Sequence, residues 1–275
     1  MIVHLFCPYC AYEASLLKKA VTIDVPVPVM KIADDGRYNV ACEKNHESIV
    51  ILGNIKFELL FEMGLNAIID GYYRESVSSF ASALERFYEF YWRVVLHKYA
   101  ISEQESLNAW KYIGKLSERQ IGGYITASLI LTGKAPSLLN SNKDVPFRNS
   151  VIHNGYMPTR QEAISFGDTV KNIIDPELNC LRELASISLA EIYSSLSPKS
   201  ENSIPGDVTN ITGRINVLTA LDVLHPPDIG QGDVRGGNVL HQLERIAKDR
   251  EPHWMHAFPT EEELNEYVKK KGLNI

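Results

Sequence analysis

Tyr72-Tyr73-Arg74-Glu75-Ser76-Val77-Ser78-Ser79-Phe80-Ala81-Ser82-Ala83-Leu84-Glu85-Arg86-Phe87-Tyr88-Glu89-Phe90-Tyr91-Trp92-Arg93-Val94-Val95-Leu96-His97-Lys98-Tyr99 is the stretch that sets the fold class. Tyr73, Val77, Phe80, Leu84, Phe87, Tyr91 and Val94 recur at the three- and four-residue spacing that lines up one face of an α-helix. A helix this long and this aromatic needs partners to bury it, so the spacing predicts a helical bundle. Gly71 interrupts or starts it, and Phe57 to Gly71 reads as a preceding helix.

Further helices are expected over Glu103–Lys115 and Arg119–Leu131, the second stopped by Thr132-Gly133-Lys134-Ala135-Pro136. Asp144 is a natural N-cap for a short helix ending at Gly155 and Pro158. Thr159 and Glu162 form a capping box for Arg160–Ile174, and Asp175-Pro176 introduces a last bundle helix, Glu177–Leu196. Upstream, residues 1–55 are β-rich, with runs over Ile2–Phe6, Val21–Ile32, Tyr38–Ala41 and Ser48–Leu52. Pro26 and Pro28 demote the second run to an edge strand, and Asp34-Asp35-Gly36-Arg37 is a hairpin-type turn. Downstream, Ser197–Ile204 reads as a linker, followed by helices over Val239–Lys248 and Thr260–Lys271. The expected class is therefore mainly α: a β-rich domain at 1–55, a four- or five-helix bundle at 56–197, and a linker with a helical extension at 198–275.

Composition narrows the function. With 275 residues, 45% hydrophobic and 23% charged, the chain can bury a real core. A net charge of −6 argues against a DNA-coating protein, while a local basic groove for RNA remains compatible with an acidic body. No apolar run reaches the roughly 18–20 residues of a membrane span, and the N-terminal stretch lacks signal-peptide character. Cysteines in a ligand-like pattern suit a reducing compartment. These features point to the cytoplasm.

Cys7-x2-Cys10 and Cys42-x3-His46 match two knuckles of a zinc ribbon, each set at the end of a strand. The flanking β segments hold too few apolar residues to fold unaided, which gives a structural zinc ion a physical purpose. A pair of buried or redox cysteines is the alternative.

A second constellation is Phe147-Arg148-Asn149-Ser150-Val151-Ile152-His153-Asn154-Gly155. Arginine offers a permanent, planar charge suited to phosphate, and histidine can move a proton near neutral pH. Spacing alone is cheap, because Arg235/His241 and Arg250/His256 share it. Those pairs are interrupted by Gly236-Gly237 and by Pro252, whereas Arg148 is followed by Asn149 on a bounded helix. On that helix Asn149 and His153 share a face and Arg148 lies about 140° away, so one copy spreads the three groups. The blander alternative is that Arg148 pairs with Glu85 or Glu89 and His153 caps its own helix.

Arg148-Asn149-x3-His153, behind a long aromatic-rich helix, resembles the HEPN superfamily over roughly residues 57–197. The resemblance implies a helical bundle that dimerises and pairs two motifs at one composite site. It also implies metal-independent endoribonuclease activity, with Arg148, Asn149 and His153 as catalytic residues, in toxin–antitoxin or phage-defence roles. RNA, a second copy of the chain and an antitoxin or defence partner protein are the implied partners. A non-catalytic RNA-binding or dimerising scaffold is the competing reading. Members silenced by modification of a nearby tyrosine carry Arg-x4-His-x-Tyr; here Tyr156 falls one position late, after Asn154-Gly155, which puts that route in doubt.

Overall fold

The computed structural model describes residues 3–4, 7–10, 26–27, 35–42, 44–197, 212–215, 219–224 and 237–249. The residues between Pro198 and Ile204, the expected helix over Thr260–Lys271 and the Arg250/His256 pair lie outside them, as does Arg235. The chain is mainly helical, with two small sheets.

The bundle is assembled around one central helix. Helix α1 (Lys56–Ile69) ends at Gly71, whose φ of 81° lets the chain reverse into α2 (Tyr73–Lys98). The stripe from Val77 to Val94 is buried. So are Ala83, Tyr88, Phe90 and Val95, because α2 is wrapped on several sides rather than lying on a surface. Around it pack α1, α3 (Glu103–Ile113), α4 (Ser117–Thr132), α5 (Asp144–His153) and α6 (Arg160–Leu196). Phe80 sits between the two longest contacts: a Cβ added at Gly64 of α1 or Gly167 of α6 would lie 2.6 or 2.7 Å from its ring. Those glycines let three helices close on one phenyl group. Each fully buried large side chain contributes about 1.5–3 kcal/mol.

Helix ends follow local chemistry, with two corrections. Thr159 and Glu162 form the expected capping box at the start of α6. Asp144, however, is not the N-cap of α5; Lys143 occupies that position. The Asp144 carboxylate instead folds back to accept the Asn140 amide at 2.9 Å, while Asn140 Oδ1 accepts from Asn142 and Lys143 at 2.9 and 3.0 Å. The loop is closed by Asn140, and Asp144 serves the first turn, where a carboxylate is favoured. Nor does Asp175-Pro176 divide the last helix. The helix runs through Pro176 and leaves helical geometry at Ala185 (φ −143°, ψ 33°). Pro176 and Asn172 both face solvent, so water can satisfy the carbonyl that proline leaves unpaired. Ile173, Ile174, Leu178 and Leu181, all buried, hold the helix to the core across the site.

The sheets bring distant parts of the chain together. Strands β1 (Val3–His4) and β2 (Pro26–Val27) pair antiparallel. Gly36 (φ 63°) turns the chain into β3 (Arg37–Ala41), which forms an antiparallel hairpin with β4 (Glu47–Leu52), Arg37 opposite Ile51 and Ala41 opposite Glu47. A strand absent from the sequence expectation, β5 (Thr212–Ile215), then lies parallel to β4, Ile49 opposite Thr212 and Leu52 opposite Ile215. The region beyond the bundle thus completes the N-terminal sheet. Ser197 Oγ donates to Gly53 O at 2.8 Å, tying the end of α6 to the end of β4.

Residues 219–224 and α7 (Val239–Asp249) return to α1 and α6. Two buried carboxylates of α1 receive them. Glu62 accepts the Ala220 amide at 3.2 Å and Arg245 at 2.7 Å, and Glu58 accepts the Val223 amide at 3.2 Å. Arg182 of α6 donates to the carbonyls of Asp222 and Val223. Glu62 thus meets a counter-charge, whereas Glu58 is held by neutral donors alone.

Candidate functional site

Two clusters carry chemistry. The first lies where the β3–β4 hairpin turns. Asn45 adopts a left-handed conformation (φ 59°), donating to Cys42 O at 2.8 Å, and the Cys42 amide donates to His46 O at 3.2 Å. This tight turn points the Cys42 thiol and the His46 ring toward Cys7 and Cys10. Cys10 Sγ lies 3.9 Å from Cys42 Sγ and 3.6 Å from His46 Nδ1, and Cys7 Sγ lies 3.7 Å from the same nitrogen. All four ligand atoms fall within 4.8 Å of one another, so these residues could hold a metal ion.

The spacings suit tetrahedral coordination. Metal–sulfur bonds of about 2.3 Å and metal–nitrogen bonds of about 2.0 Å give edges of about 3.8 Å and about 3.5 Å. The donor set also asks for a cation. Burial, then the neighbouring Cys7 and Cys42 thiols, push the Cys10 thiol up to about 11. Burial also acts to raise Cys42, but backbone hydrogen bonds from His46 and Lys44 outweigh it and hold that thiol low. Packed thiols resist ionising together unless an ion neutralises them. Four protein ligands leave no open position, which is the pattern of a structural centre. The Tyr9 ring packs against His46 at 5.2 Å. Cys180 stands apart on α6.

The second cluster surrounds α5. Of the two carboxylates within reach of Arg148 by sequence, Glu85 takes it at 2.7 Å, while Glu89 is held by Arg86. Arg148 also donates to Asn149 Oδ1 at 3.0 Å, and Ser117 Oγ donates to Glu85 Oε1 at 2.8 Å. His153 is the last residue of α5 and is exposed. Arg148, Asn149 and His153 nevertheless line one pocket of about 570 Å³ between α2, α4 and α5. Its floor is apolar, with Ala81, Leu84 and Tyr88 buried, and its mouth carries Lys115 and Glu118. Tyr156 is engaged elsewhere, donating to Glu162 at 3.0 Å.

Lys115 and Ser117 were not legible as site residues: they carry no motif, and only the packing of α4 against α2 brings them to α5. Glu85 was legible only as a possible partner of Arg148, a pairing that the structure shows. No helix among the described residues is long and apolar enough to cross a membrane. Comparison with models of known protein families, with curated proteins and with solved structures gave no match.

Proposed function

We propose that the chain is a metal-independent endoribonuclease of the HEPN type, acting as a homodimer in phage defence or a toxin-like role. The observation that supports this is the meeting of Arg148, Asn149 and His153 at one pocket. His153 would assist attack of a ribose 2′-OH on the adjacent phosphate, or protonate the leaving 5′ oxygen. Arg148 would stabilise charge on the phosphorane, and Asn149 would orient the phosphate. The products would be a 2′,3′-cyclic phosphate and a 5′-OH. In the proposed homodimer the second copy brings its own Arg148, Asn149 and His153 to a shared site. An antitoxin or defence protein is the proposed regulatory partner.

At the hairpin we propose zinc, in a purely structural role. Three cysteines and a histidine in a closed set are its customary ligands.

The Arg148–Glu85 ion pair favours a second reading, a non-catalytic RNA-binding or dimerising scaffold, because it already satisfies the guanidinium. Single-stranded RNA incubated without added divalent cation separates the two. Wild type should cut, and Arg148→Ala and His153→Ala should each lose about 10²–10⁴-fold. Absence of cleavage by wild type leaves the scaffold reading, and undiminished cleavage by both variants removes Arg148 and His153 from the chemistry.

A further inference from the structure

The α5 pocket combines two surfaces that a nucleic-acid backbone alone does not need. Its floor is apolar, built from Ala81, Leu84 and Tyr88 of α2, with Leu139 and Val145 closing the side. Its upper part holds Arg148, His153 and Lys115, with Glu118 the opposing charge at the mouth. A flat, apolar ring below and a phosphate above would satisfy both. At about 570 Å³ the pocket has room for a purine and part of its ribose.

The polar groups near the floor have a direction. Glu85 Oε1 is occupied by Arg148 and Ser117 at 2.7 and 2.8 Å, and Oε2 makes no hydrogen bond among the described residues. Ser117 Oγ has spent its proton on Glu85 and keeps its lone pairs. The Glu85 carboxylate, held by Arg148, and the Ser117 hydroxyl bonded to it therefore both keep acceptor capacity in the pocket lining. Guanine is the base whose pairing edge presents two adjacent donors, N1–H and N2–H. Adenine and cytosine each present an acceptor beside their amine, and uracil flanks its one donor with two acceptors.

We infer that this pocket is a nucleobase site that seats an unstacked guanine, with its 3′-phosphate at Arg148 and His153. The inference rests on the ribonuclease reading of the same pocket and names its substrate: single-stranded RNA cut after guanosine. A paired or stacked base cannot enter, so duplexes are excluded. In this arrangement Glu85 does two things, positioning Arg148 and reading the base.

Titration calorimetry with guanosine, adenosine, cytidine and uridine 3′-monophosphates tests the site without requiring cleavage. The guanosine compound should bind about tenfold or more tighter than the others, as expected for hydrogen bonds to a charged acceptor. Glu85→Gln, which replaces one acceptor with a donor, should bring the four within about threefold of one another. Leu139→Trp, which fills the pocket from a half-buried position, should abolish binding of all four while helical circular dichroism is retained. Equal binding of the four by wild type, no binding at all, or binding untouched by Leu139→Trp overturns the proposal. Guanosine-selective binding without RNA cleavage leaves the pocket standing and removes the nuclease. Cleavage at all bases without selective binding does the reverse.

Discussion

The β3–β4 hairpin and the helical bundle solve the same problem by different means. The bundle excludes water with area: Tyr91, Tyr124, Phe57, Phe61, Phe80, Phe87 and Phe90 are almost wholly buried. The rings meet edge-on, as Phe57–Phe87 at 5.5 Å, tilted, as Phe61–Phe80 at 4.8 Å, or stacked, as Tyr88–Tyr124 at 4.5 Å. The hairpin buries Val50, Ile51 and Leu52 on β4, and its turn gathers four side-chain atoms that could hold a metal ion. The first region is stabilised by many small, interchangeable contacts; with the proposed zinc bound, the second would rest on a few irreplaceable ones. Loss of a methylene is survivable in the first, whereas loss of a single thiol would be decisive in the second.

The largest test of that contrast is removal of the proposed metal. Purified protein should carry about one equivalent per chain, and content below about half would count against the site. A strong chelator, or Cys42→Ser, should abolish amide protection across 37–52 in hydrogen exchange. Protection across Tyr73–Lys98 should survive. If both regions lose protection together, the comparison fails and the hairpin is part of the bundle's cooperative unit.

Next in size is Phe80→Ala, which empties the space between Gly64 and Gly167. It should cost about 3–5 kcal/mol in denaturant unfolding followed by helical circular dichroism, with metal content unchanged. Metal loss in this variant would show that the two regions are not separable.

A smaller effect sharpens the picture of how the bundle holds the returning chain. Burial pushes the Glu58 carboxyl up from 4.5 to about 7, although amides of Ile55 and Val223 favour its charge. The folded chain therefore binds this proton more tightly than the unfolded chain does. The stabilisation is complete below about pH 4.5 and fades as pH rises through about 7, a loss of up to about 3 kcal/mol. Glu58→Gln cannot titrate. Measured against it, wild type should lose unfolding free energy between about pH 5 and about pH 8. A wild-type-minus-variant difference that stays flat with pH would mean that Glu58 is ionised throughout.

Legibility in the sequence followed the range of the interaction. The α2 stripe, the Thr159–Glu162 box and the turn at Gly71 are local, and spacing alone reveals them. The proximity of Cys7, Cys10, Cys42 and His46 is also readable, since metal-ligand chemistry restricts which residues can serve. Pro176 misleads because the sequence does not show that Asn172 faces water. Asp144 misleads because Asn140 offers a competing turn. Strand β5 and the Glu58–Glu62 acceptors depend on segments far apart in the chain, where no periodicity reports the contact. The choice of Glu85 over Glu89 for Arg148 is a matter of one helical turn, decided by Arg86.

The parallel pairing of β5 with β4 has a consequence in time. A ribosome would deliver β3 and β4 early and β5 only after the whole bundle had emerged. Neighbours so distant along the chain are slow to find each other. The sheet begun by the β3–β4 hairpin is thus completed only after the helices that follow it have been made, and the proposed metal at its turn would hold the two early strands together in the interval.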